Sequence, residues 1–409
     1  IPFLKGIGIN SYLLPSLLYE DDGVFSLSQK RIVHNNLKLG FLDSPNDTDC
    51  QVHMVAFMAL VIRHSVAWFL SEYKNDYLNS NILWALNTGV PTPQNGKASL
   101  IKRYKNLARA AWYVAWGEFT VSKQNILTAM NQASMYRDDV APLTVVEDVE
   151  IDAIPEIAAQ IHGFVEATGF DPKGRNIFLM VDVGAGTVDS SLFHVKKEKV
   201  TTSFSFFESQ VGSYGAMNLH RTRVNWWKDA LAIKGPEFKP LLNAVDKVAL
   251  ITESKVIPPQ HLQDYFTDTK LHFTKANSPD DEFSKELRAL VIKSYKSSFK
   301  ATDPILAKNN LYGIDAFLCG GGFKLPFYKF IEQAIDKGSS ASYLYAKPKK
   351  LEIPANFIAP AVLKDDYNRL SVAYGLCFVK AKILEVKPFV GHVKAPERKD
   401  LVFVDKDQV

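Results

Sequence analysis

The stretch Asp182-Val-Gly-Ala-Gly-Thr-Val-Asp189 decides the fold, because it sets two glycines and a threonine between two acidic residues. An apolar strand candidate, Asn176–Met180, leads into it, and a second, Ser190–Val195, follows it. Two apolar runs joined by a glycine turn predict a β-hairpin. We expect both glycines to adopt positive φ, a conformation that points successive backbone N–H groups into one anion-binding concavity.

The two acids of this hairpin indicate a metal-dependent phosphate site. They would repel phosphate unless a hard cation lay between them, and Mg²⁺ binds carboxylates together with waters and phosphate oxygens. Asp182 and Asp189 are therefore the candidate shell for a water-mediated Mg²⁺, and Thr187 can hydrogen-bond a terminal phosphate or an attacking water. The remaining candidates for phosphate contact are Gly184, Ala185 and Gly186. The alternative is a plain tight hairpin with solvated acids.

The composition is that of a large globular protein with two or more domains. Of its 409 residues, 47% are hydrophobic and 22% charged, and the net charge of +4 argues for neither nucleic acid nor a membrane surface. The three cysteines lie far apart without zinc spacing, which favours a reduced, intracellular protein and predicts a cytoplasmic location. The longest apolar stretch, His53–Leu70, contains Arg63 and His64, so we expect a buried helix there and no membrane span.

Predicted strands alternate with predicted helices, a pattern typical of an α/β protein. Leu13–Gln29 predicts strands joined by a turn at Asp21–Asp22, and Ile82–Val90 and Ile314–Cys319 predict two further strands. Apolar residues at helical spacing predict helices over Val52–Tyr73, Ala98–Glu118, Asn125–Ser134, Ile154–Ala167, Pro240–Lys255, Asp281–Phe299 and Tyr367–Leu384.

The helix predicted over Ala98–Glu118 carries four basic residues: Lys102, Arg103, Lys105 and Arg109. A solvated face is the simpler interpretation, and contact with a partner is the alternative. With so small a net charge, we do not expect nucleic acid to be that partner.

Asp182–Asp189 resembles the second phosphate motif of the actin-like ATPases, and most closely that of the seventy-kilodalton heat-shock (DnaK-type) chaperones. Other segments resemble motifs of this family in the family's order, and the divergent, tail-less members are the most similar. These segments are the strand at Asn87–Pro93, the first connecting helix at Pro155–Gly163, the glycine turn at Val211–Gly215, the adenosine motif at Cys319–Pro326 and the second connecting helix at Val372–Gly375.

The resemblance implies an actin-like fold, with two ribonuclease H-like lobes around a central cleft that binds ATP or ADP with Mg²⁺. Lobe I would comprise residues 1–172 and lobe II residues 173–365, with a helical subdomain at about 213–305. Residues 366–390 would return to lobe I, and 391–409 would form a tail. Gly163 and Gly375 would lie where the two connecting helices cross, at the hinge.

The resemblance also implies the nucleotide contacts. Gly212 and Gly215 belong to the glycine turn that opens lobe II. Gly320, Gly321 and Gly322 would let the backbone approach the base or ribose without a Cβ in the way. Lys324 falls where the family has a cation that stacks on adenine. Without the resemblance, the three glycines also fit a simple strand-to-helix turn.

Two departures from the family pattern bear on catalysis. The family's first phosphate loop is absent, so we expect it upstream of Ile1. The family's catalytic glutamate corresponds to Ile154, with Asp152 or Glu156 as substitutes that do not match the position, and Lys38 is the candidate for the lobe I lysine. The expected function is an ATP-binding, slowly hydrolysing switch whose closure a protein partner reads. The alternatives are a pseudo-ATPase scaffold and a self-assembling, filament-forming segregation or division protein.

Overall fold

A computed structural model describes residues 18–27, 32–34, 37–91, 98–117, 120–136, 149–165, 170–197, 202–249, 258–266, 278–301, 311–336, 345–358, 367–378 and 385–386. These residues form a mixed α/β protein with three sheets. The α/β class predicted from the alternation of strands and helices is therefore confirmed. The predicted tail, 391–409, lies outside the described residues.

The strands are β1 (Leu18–Asp21), β2 (Val24–Ser26), β3 (Ile32–His34), β4 (Ala85–Val90), β5 (Glu150–Pro155), β6 (Ile177–Val183), β7 (Val188–Lys197), β8 (Thr202–Gly212), β9 (Ile314–Cys319), β10 (Ala346–Lys349) and β11 (Glu385–Val386). The helices are α1 (Leu37–Asp43), α2 (Thr48–Glu72), α3 (Lys74–Tyr77), α4 (Ala98–Trp116), α5 (Lys123–Met135), α6 (Glu156–Val165), α7 (Ala216–Ala232), α8 (Lys239–Ala249), α9 (Pro279–Ala301), α10 (Lys329–Asp336) and α11 (Tyr367–Leu376). Short 3₁₀ turns occur at Pro236–Phe238, Leu262–Tyr265, Gly321–Lys324 and Pro326–Tyr328.

The largest sheet has six strands in the order β10-β9-β6-β7-β8-β11. The strands β6, β7 and β8 form an antiparallel meander, while β9 and β10 run parallel to β6. Alternate residues of β6 enter different cores: Leu179 and Val181 pack with α7 and α9, and Phe178 and Met180 pack with α6. Helices therefore cover both faces of this sheet, as is usual where strands run parallel, here β10, β9 and β6.

Two smaller sheets belong to a second core built with α1, α2, α4 and α5. In one, β1 pairs with β2 and β3, and the β1–β2 turn has positive φ at Asp22 and Gly23, as in a two-residue hairpin. In the other, β4 runs parallel to β5. The predicted helix over Ile154–Ala167 is shorter than expected, because Ile154 and Pro155 end β5 and α6 begins at Glu156.

Helix α2 is the one described helix with the length and mean hydropathy, 1.6, of a membrane span, and 33% of that window is buried inside the protein. Core helices pass the same test, and seven α2 residues, among them Val52 and Val55, are buried. Arg63 donates hydrogen bonds to the carbonyls of Val114, Ala115 and Gly117. The Arg63 guanidinium therefore provides hydrogen-bond donors for carbonyls at the end of α4, which have no partner within the helix.

The basic residues of α4 divide between surface and interior: Lys102 and Arg103 are exposed, as a solvated face predicts, but the other two are not. Arg109 is buried, and its guanidinium lies 3.3 Å from the centroid of the Tyr136 ring. Lys105 forms an ion pair with Asp152 at 3.3 Å. Tertiary packing therefore uses at least two of these cations inside the protein.

Candidate functional site

The two glycine motifs lie at one edge of the six-stranded sheet, because β6 and β9 are parallel neighbours with Asp182 opposite Cys319. The turn after β6 contains Gly184 to Gly186, and the turn after β9 begins at Gly320. Gly320 has φ +89°, and a Cβ there would overlap the Asp182 carboxylate and the Val183 carbonyl. The hairpin and the triple-glycine turn are therefore in direct contact.

The β6–β7 turn is closed by a hydrogen bond from the Gly184 N–H to the Thr187 carbonyl at 2.9 Å. The expectation of positive φ at both glycines is wrong, since neither has φ in the left-handed region. Instead, the start of α7 fixes the turn. The N–H groups of Gly215, Ala216 and Met217 donate to the carbonyls of residues 186, 184 and 185 at 3.2, 3.1 and 2.7 Å.

This docking on α7 determines where the turn's own N–H groups point. In a trans peptide the C=O and the following N–H point in opposite directions. Because the carbonyls of residues 184–186 face α7, the N–H groups of Ala185, Gly186 and Thr187 point away from it. A Cβ built on Gly186 meets no atom within 4 Å, so the turn is open there. Three successive N–H groups therefore lie on one side of the turn, an arrangement that favours an anion.

Gly215 permits the contact between α7 and the turn. It precedes α7, and a Cβ there would lie 2.5 Å from the Gly186 carbonyl carbon and 2.6 Å from the Thr187 nitrogen. The Asn218 side chain adds a hydrogen bond to the Gly186 carbonyl at 2.7 Å. Asn218, which sequence reasoning did not identify, thus holds the turn in shape.

Asp182 is the penultimate residue of β6 and faces Gln160 of α6, whose amide donates to Asp182 Oδ2 at 3.0 Å. Burial and the repulsion from Glu156 raise the Asp182 pKa to about 6, against the opposing effects of Gln160 and Lys38. Gln160 is buried, and its Oε1 has no hydrogen-bond partner in the part of the chain that the structure describes. This unpaired acceptor lies beside a predicted metal-shell carboxylate.

Asp189 opens β7, directly across the hairpin from Asp182, and is 7% exposed. Its Oδ2 lies 3.3 Å from the Thr187 hydroxyl, which donates to it, while Oδ1 has no partner among the described residues. Burial raises the Asp189 pKa to about 7; Lys38 opposes that rise, and Glu156 and Asp182 add to it. The candidate catalytic residues Asp182, Thr187 and Asp189 are therefore adjacent.

Lys38 of α1 reaches this edge of the sheet and donates to both carboxylate oxygens of Glu156, at 2.8 and 2.7 Å. Burial lowers the Lys38 pKa, but Glu156 and then Asp189 outweigh that effect and raise it well above its usual range. A Cβ on Gly89 would lie 2.8 Å from the Glu156 Cγ, so the glycine in β4 leaves room for this ion pair. Lys38 and Glu156 thus join the two acids in one charged cluster.

Ile154 lies away from this cluster. Its side chain is 3% exposed and packs with Ala159, Val372 and Phe378, which belong to the contact between α6 and the α11 region. The family's glutamate position therefore supplies core packing here. Of the two substitutes that the sequence leaves open, Glu156 approaches Lys38, and Asp152 is buried in its ion pair with Lys105.

The other residues predicted to contact the nucleotide lie near this cluster, and each has different neighbours. A Cβ on Gly322 would lie 2.9 Å from the Val183 carbonyl oxygen, so this glycine also contacts the end of β6. Gly321 and Lys324 begin and end the 3₁₀ turn after Gly320, and Lys324 is half-buried. Gly212 ends β8, and a Cβ there would collide with the side chains of Leu290 and Tyr214. These apolar neighbours indicate a packing role for Gly212.

Helices α6 and α11 cross at the glycines for which a hinge is predicted. A Cβ on Gly375 would overlap the Ala159 carbonyl, and one on Gly163 would lie 3.1 Å from Pro354 and 3.2 Å from the Tyr374 ring. The two backbones therefore touch at Ala159, which lies three residues after Glu156 and directly before Gln160.

Neither protein-family models nor curated proteins gave a match to this chain. Sequence reasoning did not find Gln160 and left Glu156 open. Their spacing of four residues on one helix was an available signal, because residues i and i+4 share a helix face.

Proposed function

We propose that the chain is an ATP-binding, slowly hydrolysing molecular switch of the actin-like class, of the heat-shock chaperone type. The observation that carries this proposal is the joint geometry at the ends of β6 and β9. A turn with three outward N–H groups, the buried carboxylate of Asp189, the half-buried one of Asp182 and a Lys–Glu ion pair meet at one sheet edge. Ligands of open α/β sheets bind beyond the carboxyl ends of the strands.

The strand order supports the actin-like fold. A ribonuclease H-like lobe has three antiparallel strands followed by strands parallel to the first. The order β10-β9-β6-β7-β8, with β9 and β10 parallel to β6, agrees with that arrangement. Among the described residues the second core has no such continuous sheet, because β1 lies between β2 and β3, and β4 and β5 form a separate parallel pair.

The residues present fit Mg²⁺. Asp189 Oδ1 and Gln160 Oε1 are buried acceptors without partners among the described residues, and water ligands of a hydrated cation would satisfy both. Burial, with repulsion from Glu156, raises the pKa of Asp182 and of Asp189, and a cation bound beside them would oppose both rises. When bound, Mg²⁺ would neutralise charge on the phosphate oxygens.

Different residues of the chain would then bind the phosphates, approach the nucleoside and orient the attacking water. The N–H groups of Ala185, Gly186 and Thr187 would bind the phosphate tail, and the triple-glycine turn would approach the nucleoside. Glu156, held by Lys38, would orient the attacking water in place of the family's glutamate. Phosphoryl transfer depends mainly on positioning and charge neutralisation. Because Glu156 lies two residues after the position that the resemblance assigns to the glutamate, we expect the water to be oriented less well and hydrolysis to be slow.

Closing of the cleft on a nucleotide would move α6, because α6 carries both Glu156 and Gln160. Since α6 touches α11 at Gly375, that motion would also move α11, where a protein partner could detect it. The cytoplasm and the absence of membrane and nucleic-acid partners remain predictions of the sequence.

A second candidate function is a pseudo-ATPase scaffold that binds ATP without turnover. The observation that favours it is Ile154, whose apolar contacts occupy the family's glutamate position.

Titration calorimetry with ATP and ADP plus Mg²⁺, followed by single-turnover hydrolysis, tests both candidates. We expect Asp182→Asn and Asp189→Asn to weaken nucleotide binding. Glu156→Gln should retain binding and lower single-turnover hydrolysis by on the order of 10²-fold. Asp315→Asn is the matched control, because Asp315 lies on β9 at the opposite end from the site and pairs with Lys349 at 3.2 Å.

The outcomes separate the candidates. Binding without measurable hydrolysis in the wild type would favour the scaffold. No binding heat from the wild type, or unchanged binding and turnover in both aspartate variants, would refute the site.

A further inference from the structure

Three side chains on β1, β3 and α2, elements of the second core, lie close enough together to be ligands of one metal ion. His34 Nε2 lies 2.6 Å from Glu20 Oε2, and His53 Nε2 lies 4.0 Å from the same oxygen. The three ligand atoms all lie within 4.8 Å of one another. Since the sequence shows no Cys/His motif with zinc spacing, only the fold reveals this set.

The local structure brings the three residues together. In the β1–β3 pair, Leu18 lies opposite His34 and Glu20 opposite Ile32, so Glu20 and His34 are diagonal neighbours on one sheet face. Helix α2 packs against this sheet and contributes His53. The two imidazole rings stack with centroids 3.9 Å apart, and Phe25 closes the site with an edge-on contact to His53 at 5.8 Å.

The surroundings favour a cation. Each of the three side chains is only about one-fifth exposed. Asp49 lies one helical turn before His53 on α2, a spacing that shares a helix face, and its carboxylate binds Lys123 at 2.7 Å. A further acid, Asp49, therefore lies on the His53 side of α2, where it is paired with Lys123.

We propose that Glu20, His34 and His53 bind a divalent transition metal of the Zn²⁺ class. Two imidazole nitrogens and one carboxylate oxygen are borderline ligands that suit Zn²⁺ and its neighbours, whereas Mg²⁺ and Ca²⁺ prefer oxygen alone. With metal–ligand distances of roughly 2.0–2.2 Å, tetrahedral ligand atoms lie about 3.3 Å apart. The two separations from Glu20 Oε2, 2.6 Å to His34 and 4.0 Å to His53, each differ from that value by less than about 1 Å.

Such an ion would join the three-stranded sheet to α2. Glu20 and His34 belong to two strands of the three-stranded sheet, and His53 belongs to α2, whose buried residues are part of the second core. Metal binding would therefore stabilise the folded state of this part of the protein, by mass action on the native form. This inference is independent of the nucleotide site.

The test is a titration of the untagged full chain with Zn²⁺ against a chromogenic chelator, in excess Mg²⁺. We expect one equivalent of Zn²⁺ per chain, a higher thermal midpoint with Zn²⁺, and visible d–d absorption after Co²⁺ substitution. His34→Ala and His53→Ala should each lower Zn²⁺ affinity by on the order of 100-fold or more, since even an outer-shell change costs about 10–100-fold.

Further variants control for folding and for other binding groups. Glu20→Gln keeps an acceptor for His34 and should still weaken Zn²⁺ binding, so a structural hydrogen bond alone cannot explain the loss. His64→Ala, an exposed histidine of the same helix, and Cys50→Ser, a thiol that faces Gly40 of α1, should leave the affinity unchanged. No stoichiometric uptake by the wild type, or equal uptake by wild type and both histidine variants, would overturn the proposal.

Discussion

Asp189→Asn should make the nucleotide-free protein more stable, and the gain should depend on pH. Asp189 is buried between Asp182 and Glu156, and its pKa rises from 3.8 to about 7. The folded state therefore holds a proton that the unfolded chain has already released. Stability from this group is complete below about pH 4 and is lost as the pH rises towards 7.

The size of the effect follows from the pKa difference. Each pKa unit corresponds to about 1.4 kcal/mol, so ionising Asp189 in the folded state costs roughly 4 kcal/mol at pH 8. At pH 5 the same relation gives roughly 2 kcal/mol. The amide carries no charge, and Lys38 keeps both oxygens of Glu156 as partners. The stability of the variant relative to the wild type should therefore rise by about 2–3 kcal/mol between pH 5 and pH 8.

The measurement is denaturant unfolding of both proteins without nucleotide, at several pH values from 5 to 8, with the difference taken from the midpoints and a shared slope. The pH dependence is more informative than the absolute difference, because packing effects of the substitution cancel in it. Asp182→Asn should show the same trend with saturation near pH 6, since its pKa is about 6. If the difference in unfolding free energy between Asp189→Asn and the wild type stays constant within about 0.5 kcal/mol from pH 5 to 8, the raised pKa of Asp189 is refuted.

Two glycine substitutions test the close contacts of the site and the helix crossing. Gly320→Ala should lower the free energy of unfolding by about 2 kcal/mol or more, because it adds a methyl group at positive φ against a carboxylate, whereas Gly186→Ala faces open space and should change it by less than about 1 kcal/mol. Gly375→Ala should cost about 1–3 kcal/mol by separating α11 from the Ala159 backbone, and the control Gly40→Ala in α1 should be neutral or stabilising by up to about 1 kcal/mol. Denaturant midpoints measure all four, and equal effects within either pair would contradict the contact it tests.

The hairpin and its neighbour could be predicted because their signals are local. Apolar runs on both sides of Asp182–Asp189 predict β6 and β7, and Ile314–Cys319 predicts β9 with its glycine turn. The shape of the turn could not be predicted in the same way. Glycine's freedom suggested positive φ, but the start of α7 at Ala216, about thirty residues later, binds the turn's carbonyls and selects another conformation.

The metal-ligand set on β1, β3 and α2 escaped prediction for a similar reason. Glu20, His34 and His53 have no regular spacing in the sequence, and strand register together with helix packing decides that they meet. Scattered histidines give no local pattern, so only tertiary structure distinguishes ligands from ordinary core or surface residues.

The charged cluster shows how a site can keep a carboxylate while the position that supplies it changes. Strand β5 ends at Pro155, so Ile154 keeps the inward direction of a strand residue and packs against α11, while Glu156 begins a helix. Glu156 reaches Lys38 because Gly89 on the neighbouring strand has no side chain in the way. A comparison of single positions finds isoleucine where the family has glutamate and suggests an inactive site. The three-dimensional arrangement instead places the Glu156 carboxylate beside Lys38, Asp182 and Asp189, and the Glu156→Gln variant tests the slow hydrolysis proposed above.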